Sequence, residues 1–371
     1  MLSFVVFSYA LLSADGIGAA SQESSCAEGG AQKAVGWAVG GPADGYGVIL
    51  HTTDGGQNWE RQGTSVDIPD AGMVGVAAVS VREAWAVGGA DSESGYGVIL
   101  HTKDGGKSWT REGRSDDLKD VGLIAVSAIN KNIAWTVGSD GNKGVILHTQ
   151  NGGRLWKRQG IGQLPNVALN GVYASDASHV WVVGDSEKGK DYGTILRTTD
   201  RGATWKKVPY KLSRTFTPAY LITVDGANPC RLGANAHKLW AVGRGQIVRI
   251  SVTSRGISVT DQTPRFSSMY DINGVCALDD RTIWAVADLS NIWRSGNGGR
   301  TWTSQTAPVG GQYVLRVSAI NKCQAWATTE NQYASGHVWN TSDGGTTWKA
   351  QQIPVATGMW GISFVRTHGW F

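Results

Sequence analysis

The sequence carries few charges and, beyond its first 20 residues, no long hydrophobic run. Asp, Glu, Lys and Arg make up 17% of the 371 residues, and the formal net charge is +4. Nucleic-acid-binding chains concentrate Lys and Arg on one face, whereas here the small positive excess is scattered, so we expect no nucleic-acid partner. A membrane-spanning helix needs about 20 consecutive apolar residues. We therefore expect no stable membrane insertion of the mature chain.

Cysteine is also scarce. The four cysteines show neither the C-x-x-C spacing of a redox site nor that of a zinc site, and they are Cys26, Cys230, Cys276 and Cys323. Spacing of that kind is what identifies redox and zinc cysteines in a sequence. We expect neither a metal nor another cofactor.

The N-terminal segment "MLSFVVFSYALLSADGIGAA", residues 1–20, is the one apolar stretch. It has roughly the length of a signal peptide and ends in small residues, although it lacks the usual positive N-terminal charge. We interpret residues 1–20 as a signal peptide and residues 21–33 as a linker. The protein is then expected to be exported to an extracellular, periplasmic or lumenal compartment.

Glycine and tryptophan are abundant instead, with 51 and 17 copies. Much of both comes from a segment that recurs six times and that we call the box turn. Its copies are "HTTDGGQNW" (51–59), "HTKDGGKSW" (101–109), "HTQNGGRLW" (148–156), "RTTDRGATW" (197–205), "RSGNGGRTW" (294–302) and "NTSDGGTTW" (340–348). A catalytic loop is needed once, whereas a motif that returns at regular intervals belongs to the architecture.

The complete repeat, such as residues 75–113, reads as four short strands separated by Gly-, Asn- and Asp-containing turns. A second tryptophan marks seven units, and its copies are Trp37, Trp85, Trp135, Trp181, Trp240, Trp284 and Trp326. The fifth unit, residues 239–260, lacks the box turn. The first unit lacks an inner strand, and residues 361–370 supply a lone one at the C-terminus.

Joining these two fragments closes a ring and removes the free sheet ends. The sequence therefore predicts an all-β fold over residues 34–371: a seven-bladed β-propeller of four-stranded antiparallel blades, closed by the C-terminal strand. The repeat places Cys26 with Cys323 where the ring closes and Cys230 with Cys276 in neighbouring units, so we favour these two disulfides. Four free buried thiols are the alternative.

The box-turn carboxamides and carboxylates are predicted to be structural. A short side-chain oxygen accepts backbone N–H groups two residues on, and the paired glycines permit positive φ. These positions are Asp54, Asp104, Asn151, Asp200, Asn297 and Asp343. A calcium site needs about six oxygen ligands, and each turn offers one carboxylate. His51, His101 and His148 recur too far apart to share one zinc ion.

The box turns resemble the Asp-box, or BNR, repeat, which also occurs in sialidases and xyloglucanases. The R-I-P segment that a sialidase resemblance requires is missing, and Asp120, Asp271 and Asp280 have no identifiable partner carboxylate for glycoside hydrolysis. Units such as "GWAVGG…GVILHTTDGGQNW" more closely resemble the photosystem II stability and assembly factor family, over nearly all of residues 34–371. That resemblance implies an exported, non-enzymatic scaffold that binds another protein.

Two other functions stay open at the level of sequence. They are a carbohydrate-binding or surface-assembly module, including self-assembly, and, less favoured, a glycoside hydrolase. We expect no catalytic residues and place partner binding on the loop face, the face opposite the box turns, where loops differ between blades and carry Tyr and basic residues. The predicted contacts are Tyr46, Tyr96, Tyr192, Tyr333, Lys211 and Arg214.

Overall fold

In the computed structural model, the described residues are 26, 34–113, 116–141, 143–211, 219–227, 238–264, 270–331 and 336–366. Their strands form seven four-stranded antiparallel sheets. We number the sheets as blades 1 to 7 in the order of their second strands. The predicted signal peptide, the linker apart from Cys26, Tyr333, Arg214 and Cys230 lie outside the described residues.

The strands of the first four blades follow the chain, with the inner strand of each blade given first. Blade 1 contains β28 (Met359–Arg366), β1 (Ala34–Ala43), β2 (Tyr46–Thr52) and β3 (Glu60–Arg61). Blade 2 contains β4 (Met73–Ser80), β5 (Glu83–Ala90), β6 (Gly97–Thr102) and β7 (Thr110–Arg111). Blade 3 contains β8 (Gly122–Ala128), β9 (Ala134–Asp140), β10 (Lys143–Thr149) and β11 (Lys157–Arg158). Blade 4 contains β12 (Leu169–Ala174), β13 (Val180–Gly184), β14 (Thr194–Thr198) and β15 (Lys206–Lys207).

The remaining three blades have the same order. Blade 5 contains β16 (Leu221–Gly226), β17 (Lys238–Gly243), β18 (Gln246–Thr253) and β19 (Gly256–Asp261). Blade 6 contains β20 (Ile272–Ala277), β21 (Ile283–Ala287), β22 (Asn291–Ser295) and β23 (Thr303–Gln305). Blade 7 contains β24 (Tyr313–Ala319), β25 (Ala325–Glu330), β26 (Val338–Thr341) and β27 (Lys349–Gln351). A short 3-10 helix, Asp116–Leu118, lies in the connection from blade 2 to blade 3.

The ring closes as the sequence predicts. The C-terminal strand β28 pairs antiparallel with β1, with Val35 opposite Val365 and Ala38 opposite Ile362. The strand begins two residues earlier than expected, at Met359, and is described as far as Arg366. Met359, Ile362 and Phe364 are buried in the cluster between blades 7 and 1. The C-terminal strand thus supplies both backbone pairing and core to the first blade.

The core consists of seven apolar clusters, each lying between two neighbouring blades. All seven second-strand tryptophans are at most 2% exposed. Each cluster also receives a box-turn tryptophan from the following blade, except the one between blades 4 and 5, where Val208 and Tyr210 pack instead. That exception follows from the missing box turn of blade 5. Because a single sheet has two faces to cover, the packing of blades on each other is what buries these side chains.

The turns and loops of the blades are divided between the two faces of the ring. Outside blade 1, whose first strand comes from the C-terminus, each box turn lies beside the turn between the first and second strands, as the hydrogen bond from the Gly152 N–H to the Asn132 carbonyl shows at 3.1 Å. Equivalent bonds join Gly105 to Arg82 and Gly344 to Cys323. These turns form the box face. Loops between second and third strands and connections between blades form the loop face.

One of the two predicted disulfides is present. Cys26 is bonded to Cys323, with 5.6 Å between their Cα atoms, across 297 residues of chain. Cys323 lies in a turn of blade 7 on the box face, so the bond attaches the segment before β1 to the last blade. The predicted partner of Cys276 lies outside the described residues. Within the described part of the chain, no helix is long and apolar enough to cross a membrane.

Candidate functional site

The box turn is a closed hydrogen-bond network, as blade 1 illustrates. The Thr52 hydroxyl donates to Asp54 Oδ1 (2.8 Å) and accepts the buried Gly56 N–H (2.8 Å). The Asp54 carboxylate accepts the backbone N–H of Asn58 (3.0 Å) and its side-chain amide (2.7 Å). Gly55 and Gly56 have φ of 77° and 88°, a region that favours glycine. The carboxylate therefore organises its own turn.

The other five box turns repeat this arrangement with the same partners. A Thr or Ser two residues before the carboxylate or carboxamide donates to it at Asp104, Asn151, Asp200, Asn297 and Asp343. The hydrogen bonds from Ser108 lower the pKa of Asp104 to about 2. Each turn thus uses its side-chain oxygens in hydrogen bonds within the turn.

A glutamine that the sequence analysis overlooked connects neighbouring blades. The Trp59 indole N–H of blade 1 donates to Gln351 Oε1 of blade 7 (3.0 Å), and the Gln351 amide donates to the Gly55 carbonyl (3.2 Å). Gln62 and Gln305 accept the equivalent bonds from Trp109 and Trp348. In the sequence, each of these glutamines stands three residues after a box-turn tryptophan, and this regular spacing could have identified them.

The recurring histidines are stacked on tryptophans. The ring of His101 lies 3.6 Å from that of Trp85, and the ring of His148 lies 4.1 Å from that of Trp135. Burial lowers the pKa of His148 to about 4, so this imidazole is neutral at pH 7. Arg197 occupies the same position over Trp181. No group of three metal-ligating side chains occurs among the described residues.

Three of the four predicted tyrosines lie among the described residues, and each packs on other side chains of the ring. Tyr46 packs under the guanidinium of Arg61, 3.8 Å from the ring centroid, and Tyr192 packs 5.0 Å from Tyr210. Tyr96 is partly buried against the cluster between blades 2 and 3. All three lie at loop-face hairpins, but each packs within its own part of the ring. Lys211 is exposed at the edge of the described segment.

A different set of residues surrounds the central channel on the loop face. Every inner strand has a register irregularity at the same place, where one residue is left without a partner on the second strand. We call these residues the bulge ring, and they are Val74, Ile124, Asn170, Ile222, Asn273, Leu315 and Trp360. Bulges redirect side chains and are common beside functional sites. The ring was not predicted, because a bulge cannot be read from a strand's composition.

The bulge ring is apolar over most of its circumference. Five of its members are Val, Ile, Leu or Trp, and all five are only partly buried. The indole of Trp360 lies over the backbone of blade 2, so a Cβ at Gly72 would be 2.5 Å from its ring. Gly72 is therefore required for this tryptophan to cover the gap between blades 1 and 2.

The two asparagines of the ring hold neighbouring blades together. The Asn170 amide donates to Asp185 (2.8 Å) and to the Leu221 carbonyl of blade 5 (2.9 Å). Asn273 makes the corresponding bonds to Asp288 and to the Val314 carbonyl of blade 7. The polar side of the mouth is thus rigid, and its amides are already paired.

Several bulge-ring residues line a cavity of about 110 Å³ in the channel, whose other lining residues are mainly Val, Ile, Ala and Gly. Asn170, Thr223 and Arg316 are its polar residues, and the Arg316 guanidinium donates to the Asn273 and Leu315 carbonyls, both at 2.8 Å. Burial lowers the pKa of Arg316 to about 10. A cavity of this volume holds only a few water molecules, so a larger ligand does not fit inside it.

An acidic and phenolic cluster lies beside the ring in blades 4 to 6. The Tyr220 hydroxyl donates to Asp271 (2.5 Å), and burial together with this bond raises the pKa of Tyr220 to about 12. Burial also raises the pKa of Asp288, and the charge of Asp271 adds to the effect. A tyrosine nucleophile needs a lowered pKa, so Tyr220 is held in the unreactive form.

Exposed apolar side chains continue this surface towards blade 7. Leu289 is 58% exposed, Tyr313 is 42% exposed and Val309 is 38% exposed. The Ser290 hydroxyl donates to the Val309 carbonyl (2.7 Å), which joins the two loops. Leu289 and Ser290 both have positive φ, 56° and 63°, a conformation uncommon for leucine. The turn therefore presents an apolar side chain to solvent at a cost in backbone energy.

Comparison with known proteins agrees with the resemblance seen in the sequence. The family model for "Photosynthesis system II assembly factor YCF48" matches residues 94–210, a stretch that runs from blade 2 through blade 4. No curated protein sequence matches the chain.

Solved structures align over most of the chain. YCF48 bound to a D1 peptide aligns with a TM-score of 0.60 at 17% identity, covering 88% of this chain and 91% of that one. YCF48 from Cyanidioschyzon merolae aligns with a TM-score of 0.55 at 18% identity, covering 84% and 95%. A virginiamycin B lyase from Staphylococcus aureus aligns with a TM-score of 0.56 at 16% identity, covering 80% and 92%. These likenesses show a common propeller fold, which is shared by proteins of different function.

Proposed function

We propose that the protein is an exported, non-enzymatic propeller scaffold that binds a segment of another protein at the loop-face mouth of its channel. The observation that carries the proposal is the bulge ring. It groups five partly exposed apolar side chains around one opening, in a protein whose other large apolar side chains are mostly buried between blades. Exposed apolar surface of this kind is typical of a binding site.

The chemistry around the mouth favours binding over catalysis. Tyr220 is held protonated and the ring asparagines are bonded to neighbouring blades. Binding to an apolar anchor, by contrast, needs only the side chains that are present, with Trp360 in blade 1 and Leu289 in blade 6, on either side of blade 7. Tyr46, Tyr96, Tyr192 and Lys211 would add contacts further out on the same face.

The comparisons support a protein segment as the partner. A YCF48 structure is bound to a D1 peptide, which makes a peptide of that kind the first partner to test here. Export is supported by the Cys26–Cys323 disulfide, because disulfides persist in oxidising compartments. A carbohydrate is the second candidate, since the half-buried indole of Trp360 offers a flat stacking surface.

The test is capture of partners from the native envelope by the full chain, followed by mass spectrometry, with two site variants. Leu289→Asn removes the exposed apolar side chain, and asparagine tolerates positive φ better than leucine. Trp360→Ala removes the aromatic at the mouth. Ile161→Asn is the matched control, because Ile161 is 80% exposed in the connection from blade 3 to blade 4.

We expect both site variants to lose a captured protein that wild type and Ile161→Asn retain, with melting unchanged for Leu289→Asn. A further variant, Lys131→Ala with Lys322→Ala on the box face, is expected to bind normally. Capture of polysaccharide alone would favour the carbohydrate alternative. Binding lost only in the box-face variant would show that the loop face is the wrong face.

A further inference from the structure

A groove of about 660 Å³ lies between the outer strands of blade 5 and the box turn of blade 6. Arg249 and Thr260 line it from blade 5, and Arg300, Thr301 and Trp302 line it from blade 6. Pockets that bind small molecules commonly have volumes of about 300–1,000 Å³, so a small organic ligand fits here. The lining contains no residue of the bulge ring. This groove is therefore separate from the loop-face mouth.

Trp302 differs from the other box-turn tryptophans in its exposure. It is partly exposed, whereas the other five are at most 6% exposed. Its indole N–H donates to the backbone carbonyl of Gln262 (3.0 Å), because the side-chain Oε1 of Gln262 already accepts the indole N–H of Trp240 (3.0 Å). The only polar atom of the Trp302 side chain is thus used. Its ring therefore offers apolar contact to a molecule in the groove.

Arg249 enters the groove from blade 5. It lies opposite Trp240 on one neighbouring strand and Thr260 on the other, so these three side chains share the sheet face that packs on blade 6. The Nε of Arg249 is buried and has no hydrogen-bond acceptor among the described residues. Arg197 and Arg294, at the same strand position, lie over second-strand tryptophans at 5.1 and 5.4 Å. In the described part of the chain, Arg249 has neither such a ring contact nor an ion pair.

The box turn of blade 6 adds a second guanidinium and a hydroxyl. Arg300 follows the two positive-φ glycines of this turn and is exposed. The Thr301 hydroxyl accepts a hydrogen bond from the Asn297 side-chain amide (2.7 Å). A hydroxyl carries one donor as well as acceptor lone pairs, so Thr301 can still donate to a ligand.

The acidic residue of the lining does not neutralise these cations. Asp261 lies opposite Val248 in the ladder, one position along from the pair of Arg249 and Thr260. Because successive side chains of a strand point to opposite faces, the Asp261 side chain lies on the other face of the sheet from Arg249. Its carboxylate accepts the Thr263 N–H (2.9 Å). The groove thus has two guanidinium groups and one carboxylate that is already bonded.

We propose that this groove binds an acidic saccharide, with Arg249 and Arg300 bonded to a uronic-acid carboxylate and the sugar ring packed on Trp302. Guanidinium groups form strong charge-assisted hydrogen bonds with carboxylates, often two at a time. The C–H groups of a sugar ring are attracted to the negative face of an aromatic ring, and Thr301 donates to a sugar hydroxyl. An acidic peptide side chain would meet the two arginines but has no ring of C–H groups for Trp302.

The test is titration calorimetry of the full chain with galacturonate and mannuronate trisaccharides. The methyl esters of the same trisaccharides keep the rings and remove the charge. Arg249→Asn introduces the residue that blade 7 has at this strand position, and Arg300→Thr introduces the residue that blade 7 has at this turn position. Each variant therefore loses a guanidinium and keeps a side chain that the propeller already accommodates.

The matched control is Arg154→Thr in the box turn of blade 3. Arg154 has the same turn position as Arg300 and is also exposed, but the neighbouring Trp156 is fully buried. Trp302→Leu removes the ring and keeps an apolar side chain against blade 5. Leu289→Asn, which alters the loop-face mouth, separates this proposal from the protein-binding one, because it leaves the groove unchanged.

Wild type, Arg154→Thr and Leu289→Asn are expected to bind an acidic trisaccharide alike, with an affinity that falls as the salt concentration rises. Each arginine variant is expected to weaken binding by roughly ten-fold with unchanged melting, as is loss of the ligand's charge in the methyl ester. Trp302→Leu should also weaken it.

Four results would overturn the proposal. They are a wild type that binds neither acidic trisaccharide, methyl esters that bind as tightly as the acids, arginine variants that bind like wild type, and a Trp302→Leu variant that binds normally. A glutamate tripeptide that competes with equal affinity would also overturn it and would assign the groove to acidic peptides.

Discussion

The box turn allows a direct comparison between two side chains of one network. In blade 1, Thr52 is 2% exposed and accepts the buried N–H of Gly56. Asp54 bonds to the backbone and side chain of Asn58 at the surface. We predict that Thr52→Val destabilises the protein more than Asp54→Ala, although the aspartate is the more conspicuous residue of the motif.

The magnitudes follow from what each substitution leaves behind. Valine has nearly the shape of threonine but no acceptor, so Thr52→Val leaves the Gly56 N–H buried without a partner, at a cost of about 1–3 kcal/mol. Asp54→Ala frees groups that water can reach, and we expect about 0.5–1 kcal/mol. Asp54→Asn should be nearly neutral, because Asn151 makes the same backbone bond to Leu155 at 3.0 Å.

The measurement is the free energy of unfolding from urea titrations followed by tryptophan fluorescence, at one pH and protein concentration. Thr102→Val and Asp104→Ala repeat the comparison in blade 2, where Gly106 donates to Thr102 at 2.8 Å. The reasoning is refuted if the aspartate variants cost more than the threonine variants in both blades.

Three further predictions concern ring closure, the disulfide and a buried acid. A chain ending at Gly358 loses the buried Met359, Ile362 and Phe364, each worth about 1.5–3 kcal/mol, so it should not unfold cooperatively; a normal melting curve would contradict the closure. Cys26→Ser and Cys323→Ser should each lower the unfolding free energy by about 2–4 kcal/mol, and unequal losses would argue against their pairing. Burial raises the pKa of Asp225 to about 7, above its usual value of about 4, so protonation of this carboxyl stabilises the folded state. The stabilisation should be complete below pH 4 and lost as the pH rises through 7. Asp225→Ser should abolish this pH dependence of the urea midpoint.

The sequence by itself determined the architecture. The seven second-strand tryptophans gave the number of blades. The first unit lacked an inner strand and the C-terminal segment supplied one, so the ring had to close through β28. The pairing of Cys26 with Cys323 followed from the same closure. These features were readable because they depend on local strand and turn preferences, repeated at a regular interval, and on the need to leave no free sheet ends.

Only some of the roles of the box-turn side chains could be predicted from the sequence. The sequence predicted that Asp54 accepts a backbone N–H two residues on, whereas in the structure it accepts the backbone N–H of Asn58, four residues on. Thr52 accepts the buried Gly56 N–H and Gln351 accepts the Trp59 indole N–H. The importance of these two bonds depends on which donors become buried when the blades pack. Burial is a property of the assembled ring, so the sequence alone did not show which of these side chains contributes most to stability.

The surface that we propose for binding was decided by the tertiary structure. The sequence predicted Tyr46 and Tyr192 as contacts for a partner, and the structure adds that Tyr46 packs on Arg61 and Tyr192 on Tyr210. Trp360 became prominent because a single extra residue shifts the strand register and redirects its side chain. Local sequence sets the strands, and the contacts between blades decide which side chains stay at the surface.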